Sequence, residues 1–155
     1  MNWQDLDSAS AAFAPPPEDN DELDHPTGEG EGEEETAADE ATMLYPTLDA
    51  FVRDFLITGY SRHINGNARV WAGRWWEYPE AVSRLGAMWR AFEHLRLDPA
   101  TGLSTWYTDH ADPHMRVLLD KDGPFGSADE DDPENLNSPG EPLPYVPPHK
   151  ALYRG

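Results

Sequence analysis

The stretch "PEAVSRLGAMWRAFEHLRL", residues 79–97, decides the fold. Its large apolar residues recur at spacings of three and four: Val82, Leu85, Met88, Trp89, Phe92 and Leu95. Such a stripe is typical of one face of an amphipathic helix. Pro79 suits the first helical turn, where a missing N–H costs nothing. The stretch therefore predicts a helix from Pro79 to about Leu97, ended by the "LDPATG" turn.

The polar positions of this helix carry charges at helical spacing. Glu80 and Arg84 lie four residues apart, and Arg90 and Glu93 lie three apart. Side chains at these spacings are neighbours on a helix surface. We therefore expect two ion pairs on the solvent face.

Similar patterns occur on both sides of this helix. A helix starting near Pro46 is predicted by a stripe that runs through Leu48, Phe51, Val52, Phe55, Leu56 and Tyr60. A third is expected from Ser104, and Asp112-Pro113 is a capping pair that predicts a restart as a fourth. The predicted fold is mainly α: three or four short helices around a core of Leu48, Phe51, Phe55, Val82, Leu85, Trp89, Phe92, Trp106 and Leu118.

A Trp-rich segment, "VWAGRWW" at residues 70–76, connects the first two helices, and "NGN" before it reads as a turn. Its aromatic residues are too clustered for a clean strand alternation, so a short extended piece or a packed loop is expected. Trp and Arg dominate protein interfaces. The segment is therefore a candidate interaction site through Trp71, Arg74, Trp75 and Trp76, although one ring, Trp75 first, is expected to complete the core.

Charge divides the chain into three regions. The formal net charge is −19, yet residues 43–125 hold 10 acidic and 9 basic residues. Residues 1–42 hold 14 acidic residues and no Lys or Arg. Aromatic residues concentrate in the middle region, where 13 of 17 lie. The predicted organisation is a disordered acidic tail at 1–42, a helical domain at 43–125 and a Pro-rich, mostly disordered tail at 126–155.

The two tails each have a plain and a functional interpretation. The acidic tail is either a solubilising segment or an interaction arm. The C-terminal tail contains "EPLPYVPP", for which polyproline II is the expected local form. It is either a linker or a segment that docks on an aromatic groove, its own or a partner's.

Composition also excludes several classes of site. The chain has no Cys, so disulfides, thiolate zinc sites and Cys nucleophiles are absent. The acidic start "MNWQDLD" lacks the apolar core of a signal peptide, and no apolar run is long enough to span a bilayer. We expect a cytoplasmic protein that needs no cofactor and does not bind membranes.

The stretch "WYTDHADPHMRVLLD", residues 106–120, holds the residues most suggestive of chemistry: Asp109, His110, Asp112 and His114. Two His at i, i+4 on one helix can share a divalent ion. However, Pro113 is expected to place them on different elements, and no Glu lies between them. No third His ligand is obvious, although His63 or His94 could approach in space. The favoured interpretation is structural, with Asp112 as a helix cap. The alternative is a small metal-dependent or histidine-using hydrolase or nuclease.

Direct nucleic-acid binding is the less favoured use of the arginines. Eight Arg lie between residues 53 and 116, and Arg interleaved with Trp can stack bases. The region is nearly neutral, however, and the whole chain is anionic. Phosphate affinity depends on net counterion release, which this balance opposes.

The motifs of residues 74–125 occur together in one known family. In order, they are Trp75-Trp76, Pro79–Ala81, Met88–Ala91, Leu97–Pro99, Trp106, Asp109-His110, Asp112–His114 and Gly123–Phe125. The stretch resembles a family of unknown function found in actinobacteria on plasmids, phages and integrative elements. Tyr78 departs from its pattern, which usually has His there.

The resemblance implies a genomic setting, in some cases near conjugative coupling ATPases, and it assigns no catalytic residue. Together with the Trp- and Arg-rich domain, it leads us to expect a non-catalytic accessory or adaptor protein of a mobile element that binds a larger protein partner. A coupling ATPase is the partner class that the resemblance alone suggests.

Overall fold

The computed structural model describes residues 43–150, and the mainly α prediction is confirmed there. These residues form three helices and two short 3₁₀ turns, with no strand among them. No helix in residues 43–150 is long and apolar enough to cross a membrane. The predictions for residues 1–42 and 151–155 lie outside the described residues.

The first helix, α1, begins at Leu48, two residues after the predicted Pro46. It comprises an α-helical turn at Leu48–Phe51, a π-helical segment at Val52–Leu56 and a last turn at Ile57–Gly59. Thr47 caps it, because its side-chain oxygen accepts the backbone N–H of Ala50 at 3.1 Å. A side-chain acceptor at this position satisfies an amide that the helix leaves free.

The Trp-rich segment forms a packed loop, one of the two forms expected for it. A 3₁₀ turn at Trp75–Glu77 leads into the second helix, α2, which spans Pro79–Leu95. It starts at the predicted residue and ends two residues before the predicted end near Leu97. The Asn65–Asn67 turn is also confirmed: Gly66 has a φ of 71°, which suits glycine. The side chain of Asn65 accepts the backbone N–H groups of Asn67 and Ala68.

The third helix, α3, begins at Gly102 and is not interrupted at Pro113. It comprises Gly102–Thr105, a π-helical segment at Trp106–Ala111 and Asp112–Leu118. The predicted start at Ser104 and restart at Asp112 are therefore wrong. A proline inside a regular α-helix loses one hydrogen bond and clashes with the carbonyl four residues earlier. The π turn changes that register just before Pro113, since the N–H of Asp112 bonds to the carbonyl of Tyr107, five residues back.

The core joins one face of each helix through aromatic rings. Phe51 and Phe55 of α1 pack against Phe92 of α2, with ring centroids 5.5 and 4.6 Å from it. Trp106 of α3 stands edge-on to Phe92 at 5.5 Å. Of the predicted core, Phe51, Leu85, Phe92, Trp106 and Leu118 are buried, whereas Leu48, Phe55, Val82 and Trp89 are half-buried and pack against it.

The chain after residue 125 continues the fold. Leu143 is only 2% exposed, and its N–H donates to the carbonyl of Ile57 at 3.0 Å. The N–H of Val146 donates to the carbonyl of Gly73, also at 3.0 Å. The prediction of a mostly disordered tail is thus wrong for residues 126–150. The prediction of disorder rested on the low content of apolar residues in this segment. Its many prolines, however, restrict the unfolded chain and so lower the entropy cost of ordering the segment.

Candidate functional site

Asp109, His110, Asp112 and His114 form the Asp/His cluster, and both of its carboxylates accept hydrogen bonds from side chains of the protein. All four residues lie on α3, and the Asp112 carboxylate accepts a hydrogen bond from the hydroxyl of Tyr60, the residue that follows α1. Asp109 accepts the hydroxyl of its neighbour Thr108 at 3.1 Å. Burial first, and then the bond to Asp112, raises the pKa of Tyr60. The prediction that Asp112 caps a new helix is therefore wrong; its side chain instead ties α3 to the end of α1.

The two histidines lie on the same helix, contrary to the separation expected at Pro113. His114 is half-buried, and its Nδ1 lies 3.1 Å from a guanidinium nitrogen of Arg84 on α2. Because a guanidinium can only donate, Nδ1 must accept, and the imidazole is neutral. Burial, the charge of Arg84 and the proximity of His110 all lower the pKa of His114. His114 thus acts as a neutral link between α2 and α3.

This arrangement does not form a metal site. Among residues 43–150, no three His, Asp or Glu side chains are placed to hold a metal ion. His63 and His94, the proposed third ligands, do not join the cluster. The geometry therefore gives no support to the metal-dependent hydrolase.

The Trp-rich segment faces inward rather than toward a partner. Trp71 and Trp75 are fully buried, and the Trp71 indole donates to the carbonyl of Pro144 at 2.9 Å. Trp76 is half-buried and donates to the carbonyl of Val146 at 3.2 Å. The C-terminal segment therefore docks on the protein's own aromatic rings. Because Trp71 and Trp75 are buried, they cannot serve as exposed anchors for a partner.

Two further features of the segment have local explanations. Arg74 is exposed and pairs with Glu134 at 3.1 Å and with Glu77 at 3.8 Å. The indole N–H of Trp75 is buried and has no hydrogen-bond partner among the described residues. An unpaired indole costs less than a carboxylate would, and the large ring provides much of the local core.

An open groove with a mainly apolar lining lies elsewhere, on α2. A groove of about 420 Å³ runs along this helix. We call it the α2 groove; it is lined by Leu48, Val82, Ser83, Gly86, Ala87, Trp89 and Arg90. Its walls expose more apolar than polar surface. Sequence reasoning did not identify it, because Val82 and Trp89 were assigned to the core.

The floor of the α2 groove is wide because α2 has small residues there. A Cβ atom added to Gly86 would meet only the Leu48 side chain, 4.0 Å away. Ser83, Gly86, Ala87 and Arg90 follow the i, i+3, i+4, i+7 spacing of one helix face. The small residues of this face, Ser83, Gly86 and Ala87, are the sequence signal for the groove. The signal was overlooked because the stripe of large apolar residues beside it was more prominent.

Trp89 and Arg90 form the rim of the α2 groove. Trp89 is half-buried, and its indole donates to the carbonyl of Tyr45 at 2.9 Å. The expected pair of Arg90 with Glu93 does not form, since Glu93 binds Arg96 at 2.6 Å instead. Arg90 has no hydrogen-bond or ion-pair partner among the described residues. The groove thus combines an aromatic edge with an exposed cation.

Comparison with known proteins finds a family but no characterised relative. A family model described as "Domain of unknown function (DUF4913)" matches residues 45–148, more than half of the chain. No curated protein and no solved structure matches the chain.

Proposed function

The chain belongs to the DUF4913 family of domains of unknown function, and we propose that it is a non-catalytic adaptor that binds a protein partner through the α2 groove. The observation that carries this proposal is the exposed apolar channel over Gly86, bordered by Trp89. Grooves of this kind accept the apolar face of a helix. Exposed aromatic and Arg side chains commonly contribute much of the binding energy at such interfaces.

The other candidate surfaces support this choice by elimination. Asp112 and His114 are engaged with Tyr60 and Arg84, so the Asp/His cluster serves the packing of helices. Residues 43–150 hold 16 acidic and 10 basic residues, a balance that opposes phosphate binding. The α2 groove, with its mainly apolar lining, has a chemistry that suits a protein segment.

We also propose the biological setting that the motif order suggests. The resemblance of residues 74–125 supports an accessory role in an actinobacterial plasmid, phage or conjugative element. A conjugative coupling ATPase is the partner class to test first, and that suggestion rests on the resemblance alone.

A pair of matched substitutions tests the adaptor function. Ala87→Glu places a carboxylate in the α2 groove at an exposed position. Ala100→Glu makes the same change in the exposed turn after α2 and serves as the control. A purified coupling ATPase is titrated into the full chain and each variant by calorimetry, and host proteins captured by the full chain are purified and titrated likewise.

Binding by the unmodified chain and by Ala100→Glu, with about tenfold or greater loss for Ala87→Glu, is expected if an apolar segment fills the groove. Equal affinities of both variants for a verified partner would reject the α2 groove as the binding site. Failure of every purified candidate to bind would reject the adaptor proposal.

A further inference from the structure

We propose that the surface formed by Asp49, Gly73 and Trp76 recognises a proline-rich segment of a second protein, and that this chain's own residues 145–150 occupy it as a built-in competitor. We call residues 145–150, "YVPPHK", the strap. None of the three surface residues lines the α2 groove, so the inference does not depend on the proposed function.

The strap bonds to this surface mainly through its backbone. The N–H of Val146 donates to the Gly73 carbonyl at 3.0 Å, and the Val146 carbonyl accepts the Trp76 indole N–H at 3.2 Å. A third bond runs from the Tyr145 hydroxyl to the Asp49 carboxylate at 2.5 Å. Segments in the polyproline II form make no internal hydrogen bonds, so their carbonyls are free for such donors. Aromatic surfaces that recognise proline-rich segments exploit this property.

The position of Val146 defines what the surface selects. Its N–H is used by Gly73, so proline, which has no N–H, cannot take its place. A Cβ atom at Gly73 would lie 3.1 Å from the Val146 side chain, so the strap lies directly against the glycine. Pro147 and Pro148 follow, and they bring no N–H that needs a partner. The surface therefore suits an extended segment in which a non-proline residue precedes prolines.

The charge of the strap is complementary to that of the domain. The strap has no Asp or Glu, and it carries Lys150. The described residues hold 16 acidic and 10 basic residues. A cleft of about 320 Å³ includes both sequence neighbours of Gly73, Ala72 and Arg74, together with four carboxylates: Glu77, Asp129, Asp132 and Glu134. This balance favours a partner segment without acidic residues.

The strap is the more exposed part of the C-terminal segment. Leu143, just before it, is buried, whereas Val146 is half-buried and residues 149–150 are exposed. Trp76 is also half-buried, so part of the surface is open while the strap is bound. An incoming segment can therefore contact Trp76 first and then replace the strap, while Leu143 keeps its place in the core.

The strap lowers the affinity of the surface for a second segment. A tethered segment competes at an effective concentration that can reach the millimolar range. The apparent dissociation constant of a free segment is raised in proportion to the rarity of the strap-free state. Substitutions confined to the strap should therefore tighten the binding of a free segment, because they leave the surface itself unchanged.

A free peptide with the sequence of residues 144–150, "PYVPPHK", is the probe. It is labelled with a dye and titrated, by fluorescence anisotropy, into the full chain and into two full-length strap variants. Tyr145→Phe removes the hydroxyl that bonds to Asp49, and Val146→Pro removes the N–H that bonds to Gly73. A second peptide, in which proline replaces the valine, is the control for the ligand.

We expect the peptide to bind both strap variants about tenfold more tightly than the unmodified chain, since each variant loses one hydrogen bond of the competitor. Tyr107→Phe changes a half-buried tyrosine outside the strap and should bind like the unmodified chain. The proline-substituted peptide should bind none of the chains. Equal affinity for all four chains would overturn the proposal, as would no binding to any of them at about 1 mM peptide.

Indole resonances locate the bound peptide. When the peptide is added to isotope-labelled Tyr145→Phe, the indole N–H signal of Trp76 should shift, and that of Trp89 in the α2 groove should not. A shift confined to Trp89 would place the peptide in the α2 groove and overturn the proposal. No partner of the adaptor is added, so a failure here is distinct from a failure of the proposed function.

Discussion

The carboxylate of Glu93 accepts the backbone N–H of Tyr45 at 2.8 Å, across 48 positions of the sequence. The same buried side chain accepts the N–H of Leu44 and the guanidinium of Arg96. One carboxylate on α2 therefore fixes the segment that precedes α1.

Glu93→Ala is expected to destabilise the protein by about 2–4 kcal/mol. The substitution leaves the partly buried amides of Leu44 and Tyr45 without their acceptor, and each unsatisfied group of this kind costs about 1–3 kcal/mol. The free energy of unfolding, measured with urea, tests the expectation. Glu93→Gln, which keeps one acceptor oxygen, should give an intermediate value.

Glu80→Ala is the matched control for that measurement. Glu80 forms an exposed ion pair with Arg84 on the same helix, at 3.0 Å. Exposed pairs contribute about 0–1 kcal/mol. A loss at Glu80 as large as at Glu93 would show that the buried hydrogen bonds are not the cause.

Periodicity predicted the helices well because the residues that bury α1 and α2 also define their stripes. It placed α2 at the correct start, Pro79, and it predicted the Glu80–Arg84 pair, which forms. It failed at Pro113 because a π turn changes the hydrogen-bond register without leaving a local signal. The same turn brings His110 and His114 onto one helix, which the sequence did not predict.

Tertiary contacts decide which arginine pairs with Glu93 and whether the C-terminal segment packs on the domain. Glu93 had two possible helical partners, Arg90 and Arg96, three residues away on either side, and it pairs with Arg96 while also binding the N–H of Tyr45. Leu143 gave no periodic signal, since a single apolar residue among prolines has no stripe. Its N–H bonds to the carbonyl of Ile57, which is remote in sequence, so the position of Leu143 is set by a tertiary contact.

The free energy of unfolding should fall as the pH drops below about 6.5, the ordinary pKa of histidine. The native pKa of His114 is lowered, so the unfolded chain binds a proton there before the native state does. Stability therefore rises with pH across this window, and the loss ends once the pH passes below the native pKa. Urea unfolding at about pH 7.5 and about pH 5.5 measures the difference.

His114→Gln should reduce that pH dependence, because the position no longer titrates. His63→Gln changes an exposed residue outside the α2–α3 contact and should keep the dependence of the unmodified protein. If both variants behave alike, His114 is not the group responsible.

Leu143→Ala should cost about 2–5 kcal/mol, the range for truncating a buried leucine. Leu143 is almost fully buried although it lies among prolines. Leu103→Ala removes the same atoms from a side chain that is 51% exposed and should change stability by about 0.5 kcal/mol or less. Thermal or urea unfolding compares them, and a similar small loss at both sites would show that residues 126–150 are not part of the cooperative fold.

Two glycines provide the last prediction, because their surroundings differ sharply. A Cβ atom at Gly102 would lie 1.8 Å from the carbonyl oxygen of Leu95, whereas one at Gly86 would meet only a leucine side chain at 4.0 Å. Gly102→Ala should therefore destabilise by at least about 1–3 kcal/mol, since backbone must move to admit the methyl group. Gly86→Ala should instead stabilise α2 by up to about 1 kcal/mol through the higher helix propensity of alanine. Melting temperatures of the two variants make the comparison, and an equal loss for both would show that the space around the two glycines does not decide the outcome.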